Sequence, residues 1–198
     1  MQTRRFALRL LLLLASGPIA SGADWSQFRG DGTAGYSSDA GLPTTWSAGD
    51  NIRWRTELPG YGASCPIVVG DRIYLTCWTG YGLDEANPGE KGDLKLHVVA
   101  LDKSSGELIW NQSRPASPNE QDFGRRLGEH GYASPTPCSD GERVYAYFGV
   151  NGLVAYDQDG NLLWEADCGS KTAGFGCAAS PILYKNLVIQ NGSIESGT

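Results

Sequence analysis

The sequence predicts an all-β protein built from repeated four-stranded antiparallel units, and three observations predict it. The 198-residue chain carries 27 glycines and 10 prolines between short apolar runs, as an all-β chain with many tight turns requires. A hairpin-like segment occurs three times, and a second segment that ends in tryptophan follows its first two copies. Because two hairpins in series form one four-stranded meander, we expect about two to three such units here.

The first repeated segment comprises residues 65–74, 136–145 and 180–189. Each copy has an early proline, a short strand, a polar turn and a second strand that opens with apolar residues. Apolar runs on either side of such a turn are typical of a β-hairpin. In the first copy, we expect residues 66–69 to pair with residues 73–76.

The second repeated segment comprises residues 99–110 and 154–164, and the later copy has one residue fewer in its turn. In both copies an aspartate opens the turn and a glycine takes the conformation with positive φ. These turn residues are Asp102 with Gly106 and Asp157 with Gly160. Residues 51–54 resemble the end of this segment, so we predict a closing strand there as well.

Tryptophans end the copies of the second segment. Trp54, Trp110 and Trp164 recur after roughly 55 residues, somewhat more than the ~40–50 residues of a propeller blade. The excess lies in residues 79–94 and 114–131, whose polar, Gly- and Pro-rich composition predicts loop insertions. Because a four-stranded sheet cannot bury both faces alone, each must stack on the next. We therefore predict that the three tryptophans pack between the blades of a β-propeller.

Residues 99–110 and 154–164 resemble the tryptophan-docking repeat of quinoprotein dehydrogenases. The same repeat occurs in the outer-membrane assembly propeller and in exported proteins called PQQ-binding-like β-propellers. Residues 24–30 and 41–46 of this chain resemble the N-terminal residues of the latter proteins. The likeness covers nearly everything after Ala23. It implies a propeller of about seven or eight four-stranded blades, so we expect this chain to be an N-terminal fragment of one.

The first 23 residues are predicted to form a signal peptide. Arg4, Arg5 and Arg9 precede or begin an apolar run over residues 8–15, and small side chains favour cleavage after Ala23. The apolar run is shorter than the ~20 residues of a membrane-spanning helix. We expect residues 24–198 to be the propeller part, located in the periplasm or outside the cell. The general and the twin-arginine export routes both remain open.

Five cysteines in an exported chain permit disulfides. Cys65 is the first of them, so no lipoprotein anchor is expected near the cleavage site. Cys65 and Cys77 would lie almost opposite each other in the first hairpin, and Cys168 and Cys177 bracket a glycine-rich loop. The odd number leaves at least one thiol free or paired outside this chain. The alternative is that several cysteines are buried as small hydrophobic residues.

A charged cluster precedes the second blade entry. Its members are Arg125, Arg126, Glu129 and His130. Because a propeller presents the loops of every blade around one funnel, we predict that this cluster binds a protein or a small polar ligand, together with the loops at residues 61–64 and 171–178. The alternative is a solvated loop. The other histidine, His97, lies in an alternating run and is expected at a strand surface.

No catalytic or metal-ligating set is predicted. The net charge of −6 argues against a nucleic-acid partner. Residues 157–161 have a superficial likeness to a calcium loop, but they lack the third acidic ligand and the distant glutamate, so they are read as a turn. Similarity to the dehydrogenases implies an acidic base, calcium ligands, a tryptophan beneath the quinone and often a disulfide between adjacent cysteines, but no two cysteines here are adjacent. The sequence favours a binding or scaffold propeller without a cofactor. The alternative is a fragment of a PQQ-dependent alcohol dehydrogenase that uses PQQ with calcium.

Overall fold

The computed structural model describes residues 22–122, 124, 129–171 and 176–192. In these ranges the chain forms ten strands in three antiparallel sheets, with three single-turn 3-10 helices between them. Almost all of the predicted signal peptide lies outside the described residues. No described helix is long and apolar enough to cross a membrane.

Two four-stranded blades and one further hairpin make up the structure. Blade 1 consists of β1 Ile67–Val69, β2 Arg72–Thr79, β3 Lys95–Asp102 and β4 Leu108–Pro115. Blade 2 consists of β5 Cys138–Ser139, β6 Arg143–Tyr147, β7 Leu153–Asp157 and β8 Leu162–Ala166. The third hairpin consists of β9 Ile182–Tyr184 and β10 Leu187–Ile189. The 3-10 helices are Asp31–Thr33, Lys91–Asp93 and Gly149–Asn151.

Each blade is a simple meander, in which every strand pairs with its neighbour in sequence. Val69 pairs with Arg72 around a two-residue turn at Gly70 and Asp71, which confirms the predicted first hairpin. The two following predicted hairpins are present as well. The sequence prediction of an all-β fold with four-stranded antiparallel blades is therefore confirmed.

The main hydrophobic core lies between the two blades. Leu96, Val98 and Ala100 of β3 belong to the same buried cluster as Val144 and Val154 of blade 2. Successive side chains of a strand point to opposite faces, so Leu75, Cys77, Val99 and Leu101 form a second cluster. Blade 1 is thus buried on both faces, as stacked repeats require.

Successive units are also joined where their first strands begin. The Cys65 N–H donates to Thr136 Oγ1 at 3.0 Å, and the Thr136 N–H donates to Ser180 Oγ at 2.9 Å. The first hydrogen bond joins blade 1 to blade 2, and the second joins blade 2 to the third hairpin. Buried polar groups that are paired in this way fix the position of one blade against another.

Three predicted element boundaries are wrong. Residues 51–54 form no strand, because none of the described strands pairs with them. Thr79 was expected in a loop insertion, but it belongs to β2 because it pairs with Lys95 of β3. Arg114 and Pro115 were also expected in an insertion, but they belong to β4 because they pair with Leu96 and Lys95.

The expectation that His97 lies at a strand surface is also wrong. Its side chain is only 6% exposed. The ring nitrogens lie 2.9 Å from Thr79 Oγ1 and 2.9 Å from Asn111 Oδ1. The alternation of Leu94, Leu96 and Val98 marks one buried face, but β3 lies inside the sheet and its other face is buried too.

All five cysteines lie within the described residues and carry free thiols. Cys77 and Cys138 are fully buried, and burial raises the pKa of Cys77 to about 11. The pairing of Ile67 with Tyr74 places position 76 rather than 77 on the face of Cys65. Cys65 and Cys77 therefore point to different environments, one exposed and one buried.

Candidate binding surface at the loop end of the blades

The blades have two ends of different construction. Because neighbouring strands are antiparallel, the turns within each hairpin lie at one end, which we call the turn end. The connections between hairpins and between blades lie at the other end, which we call the loop end. Among the described residues, the loop end comprises residues 80–94, 116–122, 124, 129–137, 148–152, 167–171 and 176–181.

At the turn end, tryptophans dock onto the next unit. Trp54 Nε1 donates to the carbonyl oxygen of Lys103 at 3.0 Å, 49 residues further along the chain. Trp110 Nε1 donates to the carbonyl oxygen of Gln158 at 2.8 Å, 48 residues further along. Each tryptophan thus contacts the Asp…Gly turn of the following blade rather than the turn of its own blade.

Gly106 and Gly160 accept these rings. A Cβ atom at Gly106 would overlap the Trp54 ring, and one at Gly160 would lie 2.9 Å from the Trp110 ring. Both glycines also have positive φ, +75° and +83°, which other residues adopt only with strain. The turn residue must therefore be glycine for two independent reasons.

Asp102 and Asp157 shape the same two turns. Hydrogen bonds from the Ser104 hydroxyl and from Ser105 lower the pKa of Asp102 to about 2. Bonds from the Asn161 side chain and main chain likewise lower the pKa of Asp157. Both carboxylates accept N–H groups of their own turn, and this arrangement stabilises the turn that receives the tryptophan.

Trp164 occupies the place in β8 that Trp110 occupies in β4. Its ring is 38% exposed, whereas that of Trp110 is 8% exposed. The Tyr145 ring lies against it at a centroid distance of 5.8 Å. The equivalent tryptophans therefore differ in burial, although the strands that carry them are alike.

Aromatic rings cluster at the loop end. Trp78 lies between Tyr61, at a centroid distance of 6.2 Å, and Tyr132, at 6.1 Å. Its Nε1 donates to the carbonyl oxygen of Tyr81 at 3.0 Å. A Cβ atom at Gly131 would overlap the Trp78 ring. Tyr61, which lies in one of the loops predicted to bind a ligand, is 63% exposed, whereas Trp78 and Tyr132 are buried. The cluster therefore presents one tyrosine ring to solvent.

A polar network joins three loop-end segments around Glu120. Asn151 Nδ2 donates to Glu120 Oε2 at 2.6 Å, and Lys91 Nζ donates to the Glu120 carbonyl oxygen at 3.1 Å. Lys91 Nζ also lies 3.1 Å from Asp122 Oδ1. Burial raises the pKa of the Glu120 carboxyl. The β2–β3, β4–β5 and β6–β7 connections are therefore tied together by side chains that do not belong to the repeat.

Beside this network lies a polar cleft of about 240 Å³. Arg114 and Glu165 form an ion pair at its edge, with Nη2 and Oε2 2.9 Å apart. Arg114 Nε is buried and has no hydrogen-bond partner among the described residues. The other polar side chains in the lining are Ser117, Asn119, Asn151, Asp167 and Ser170. Donors and acceptors thus face one space that is large enough for a small polar molecule.

A smaller cavity of about 20 Å³ lies under the same network. Glu120, Tyr132 and Cys177 are among its lining residues. It has room for about one water molecule. Burial raises the pKa of Cys177 to about 11, with the Tyr147 hydroxyl beside the thiol. Cys177 is therefore protonated at neutral pH, which disfavours a role as a nucleophile.

The structure describes half of the predicted charged cluster. Arg125 and Arg126 lie outside the described residues. Glu129 is exposed and His130 is half-buried at the loop end. Ser134 Oγ donates to the His130 carbonyl oxygen at 2.8 Å and lies 3.0 Å from Nδ1, so Nδ1 must carry the hydrogen of that contact.

Sequence reasoning missed the residues that build the cleft and the network. Arg114 and Glu165 belong to strands, and Asn151 belongs to a short 3-10 turn, so no motif marks them. The one available signal was position, because each lies next to a connection at the loop end. The turn-end residues carried a stronger signal, since they recur in two copies.

The fold and its docked tryptophans define a β-propeller protein of the PQQ-repeat type. A family profile described as outer membrane protein assembly factor BamB matches residues 20–120 and again residues 92–197. The chain therefore belongs to this family. Comparison with individual curated proteins gives no match.

Proposed function

We propose that the protein is an exported propeller that binds a protein or a small polar ligand through the loop end of its blades. The polar cleft of about 240 Å³ beside Arg114 carries this proposal. Binding sites are concave and hold a few polar groups that fix orientation. The cleft has both features, and it lies at the loop end of the blades.

The chemistry of the cleft favours a ligand with both acceptors and donors. Arg114 lines the cleft, and its guanidinium offers donors to acceptors on the ligand. Asp167 and Glu165 provide acceptors for donors on the ligand. A peptide backbone or a polar side chain of a partner protein has this combination, and so does a small polyol.

An exposed tyrosine favours a protein among these ligands. Tyr61 is exposed and is supported by the buried rings of Trp78 and Tyr132, and tyrosine is enriched at protein interfaces. The family description, an assembly factor for outer membrane proteins, also supports a protein partner. It further supports the periplasm as the location, consistent with the signal peptide predicted over residues 1–23.

Site-specific photo-crosslinking in the full-length exported protein tests this proposal. A photoreactive residue at Asn119, which lines the cleft, should give a crosslinked product with a partner protein. The control is the same residue at Glu107, an exposed position at the turn end. Equal yields at the two positions would show that the loop end is not the binding surface.

A titration distinguishes this proposal from the alternative, a PQQ-dependent alcohol dehydrogenase, which the PQQ-type repeat favours. Full-length protein is mixed with pyrroloquinoline quinone and calcium, while absorbance and dye-linked alcohol oxidation are followed. We expect no saturable binding and no turnover. Saturable binding with turnover would establish the dehydrogenase instead.

A further inference from the structure

Three backbone positions are equivalent in the three hairpins. Val68, Ser139 and Leu183 each follow a proline by two residues. Each pairs with the equivalent residue of the second strand of its hairpin, Val68 with Ile73, Ser139 with Val144 and Leu183 with Val188. At this register the N–H group points away from the paired strand. The three strands are the first of their sheets, so these N–H groups face the free edges.

One short segment contacts all three positions in order. Trp25 pairs with Val68 through two bonds, Trp25 N to Val68 O at 2.7 Å and Val68 N to Trp25 O at 3.0 Å. The Ser139 N–H donates to the carbonyl oxygen of Ser26 at 2.9 Å. The Leu183 N–H donates to Gln27 Oε1 at 3.3 Å. Consecutive residues of the segment thus form hydrogen bonds with consecutive repeat units.

Further contacts hold the segment in this course. Asp24 Oδ1 accepts the Gly70 N–H at 2.9 Å, which fixes the segment to the first turn of blade 1. The Gly30 N–H donates to the carbonyl oxygen of Gln27 at 2.9 Å. Gly30 has a φ of +73°, and a Cβ atom there would lie 2.7 Å from the Trp25 ring. The segment therefore folds back over its own tryptophan.

We propose that the free edges of β1, β5 and β9 form a binding site for an extended peptide, and that residues 24–27 of this chain occupy it. Unpaired edge N–H groups are ready partners for an added strand. The ligand is defined by its chemistry, an extended backbone with tryptophan at its first contact and an amide side chain two residues later. Because one peptide contacts both blades and the third hairpin, its presence sets their relative positions. This site is separate from the loop-end cleft.

Amide hydrogen exchange, resolved by residue in the full chain, tests the proposal. Trp25→Ala should speed exchange at Val68, Ser139 and Leu183 by at least about fivefold, the factor expected for one net hydrogen bond. Trp46→Ala is the matched control, since Trp46 belongs to the same N-terminal region and is 67% exposed. It should leave the three amides unchanged. Unchanged exchange in Trp25→Ala would overturn the proposal.

Gln27→Leu separates a local effect from general destabilisation. It removes the acceptor of the Leu183 N–H and keeps the side-chain volume similar. Exchange should become faster at Leu183, while amides of the buried strand β3, such as that of Val99, keep their wild-type rates. Equal rates at Leu183 in variant and wild type would refute the proposed contact, and so would acceleration throughout the chain.

A peptide in trans tests whether the edges are a binding site. A synthetic peptide with the sequence of residues 24–30 is added in excess to the Trp25→Ala chain. It should restore slow exchange at Val68, Ser139 and Leu183, while a scrambled peptide of the same composition does not. Failure of the native peptide to restore protection would show that the edges do not bind an extended peptide.

Discussion

The two ends of the blades are held together by different kinds of contact. At the turn end, the same contact occurs twice with nearly the same spacing, from Trp54 to the turn at Gly106 and from Trp110 to the turn at Gly160. At the loop end, contacts such as that between Glu120 and Asn151 occur once. Repeated contacts build the propeller, and the unrepeated contacts leave room for a specific binding surface.

The two ends also shift the pKa values of their carboxyl groups in opposite directions. Turn-end Asp102 and Asp157 are stabilised as anions by N–H and hydroxyl donors, which lower their pKa values. Loop-end Glu120 is buried, and its pKa is raised. The turns thus favour the charged form of Asp102 and Asp157, whereas burial at the loop end disfavours the charged form of Glu120.

Loss of a docked tryptophan should have the largest effect. Trp110→Ala is expected to lower the free energy of unfolding by about 3–5 kcal/mol, because a large buried ring is removed from the core between blades. Trp164→Ala removes the same side chain at the equivalent position, but from a ring that is 38% exposed, so its loss should be clearly smaller. Denaturant unfolding of both variants measures this, and equal losses would contradict the role of docking.

Glycine substitutions should rank next and should be costly at both ends. Gly106→Ala at the turn end and Gly131→Ala at the loop end each place a methyl group into a tryptophan ring. We expect each to cost about 2–3 kcal/mol, from overpacking and strain at positive φ. Gly70→Ala is the control, because nothing lies within 4 Å of its Cβ position. A shift of the unfolding midpoint in the control as large as in the others would exclude ring contact as the cause.

The difference between the ends also explains why the sequence predicted the turn-end contacts and missed those at the loop end. Trp110, Asp157 and Gly160 were identifiable because the repeat presents the same residues twice. The contact of Trp78 with Gly131 and that of Glu120 with Asn151 were missed, since they depend on how unrepeated loops meet in space. No local pattern encodes such a meeting.

Two further differences have a similar origin. His97 was misassigned because the alternation in β3 reports only the face that packs on blade 2. His97 lies on the opposite face, where Thr79 and Asn111 of the neighbouring strands contact its ring. The path of Trp25 across three first strands was not foreseen either, because it depends on edges that exist only after the hairpins have formed.

The carboxylates at the two ends should give opposite dependence on pH. For Asp102, whose folded pKa is lowered to about 2, the stabilisation is present above the unfolded pKa and is lost as pH falls towards 2. Asp102→Asn should therefore be less stable than wild type at neutral pH, and the difference should shrink in acid. Unfolding curves recorded from pH 2 to pH 7 measure this, and a constant difference would contradict the proposed origin.

For Glu120 the sign is reversed. Its raised folded pKa means that the folded state holds the proton more tightly, so stability falls as pH rises from the ordinary carboxyl pKa through the raised one. Glu120→Gln carries no titrating proton and should not show this fall. The difference between wild type and variant should therefore change in favour of the variant as pH rises. A difference that is independent of pH would exclude burial of the charge as its cause.

The smallest effects should come from the ion pairs at the two ends. Lys91 lies 3.1 Å from Asp122 at the loop end, and Arg72 lies 3.8 Å from Asp159 at the turn end. Both aspartates are largely exposed, so Lys91→Met should cost no more than about 1 kcal/mol. Arg72→Met should cost more than Lys91→Met. Each cation also donates to a main-chain carbonyl oxygen, Lys91 to that of Glu120 and Arg72 to that of Gln158, but only the Gln158 carbonyl oxygen also accepts the Trp110 N–H.

Denaturant unfolding in low and high salt separates the exposed ion pairs from these hydrogen bonds. Salt should reduce the ion-pair part of both costs and leave more of the cost of Arg72→Met, since its hydrogen bond supports the docked turn. If both costs vanished in high salt, Arg72 would stabilise the turn end through its charge alone, and the hydrogen bond to Gln158 would contribute nothing.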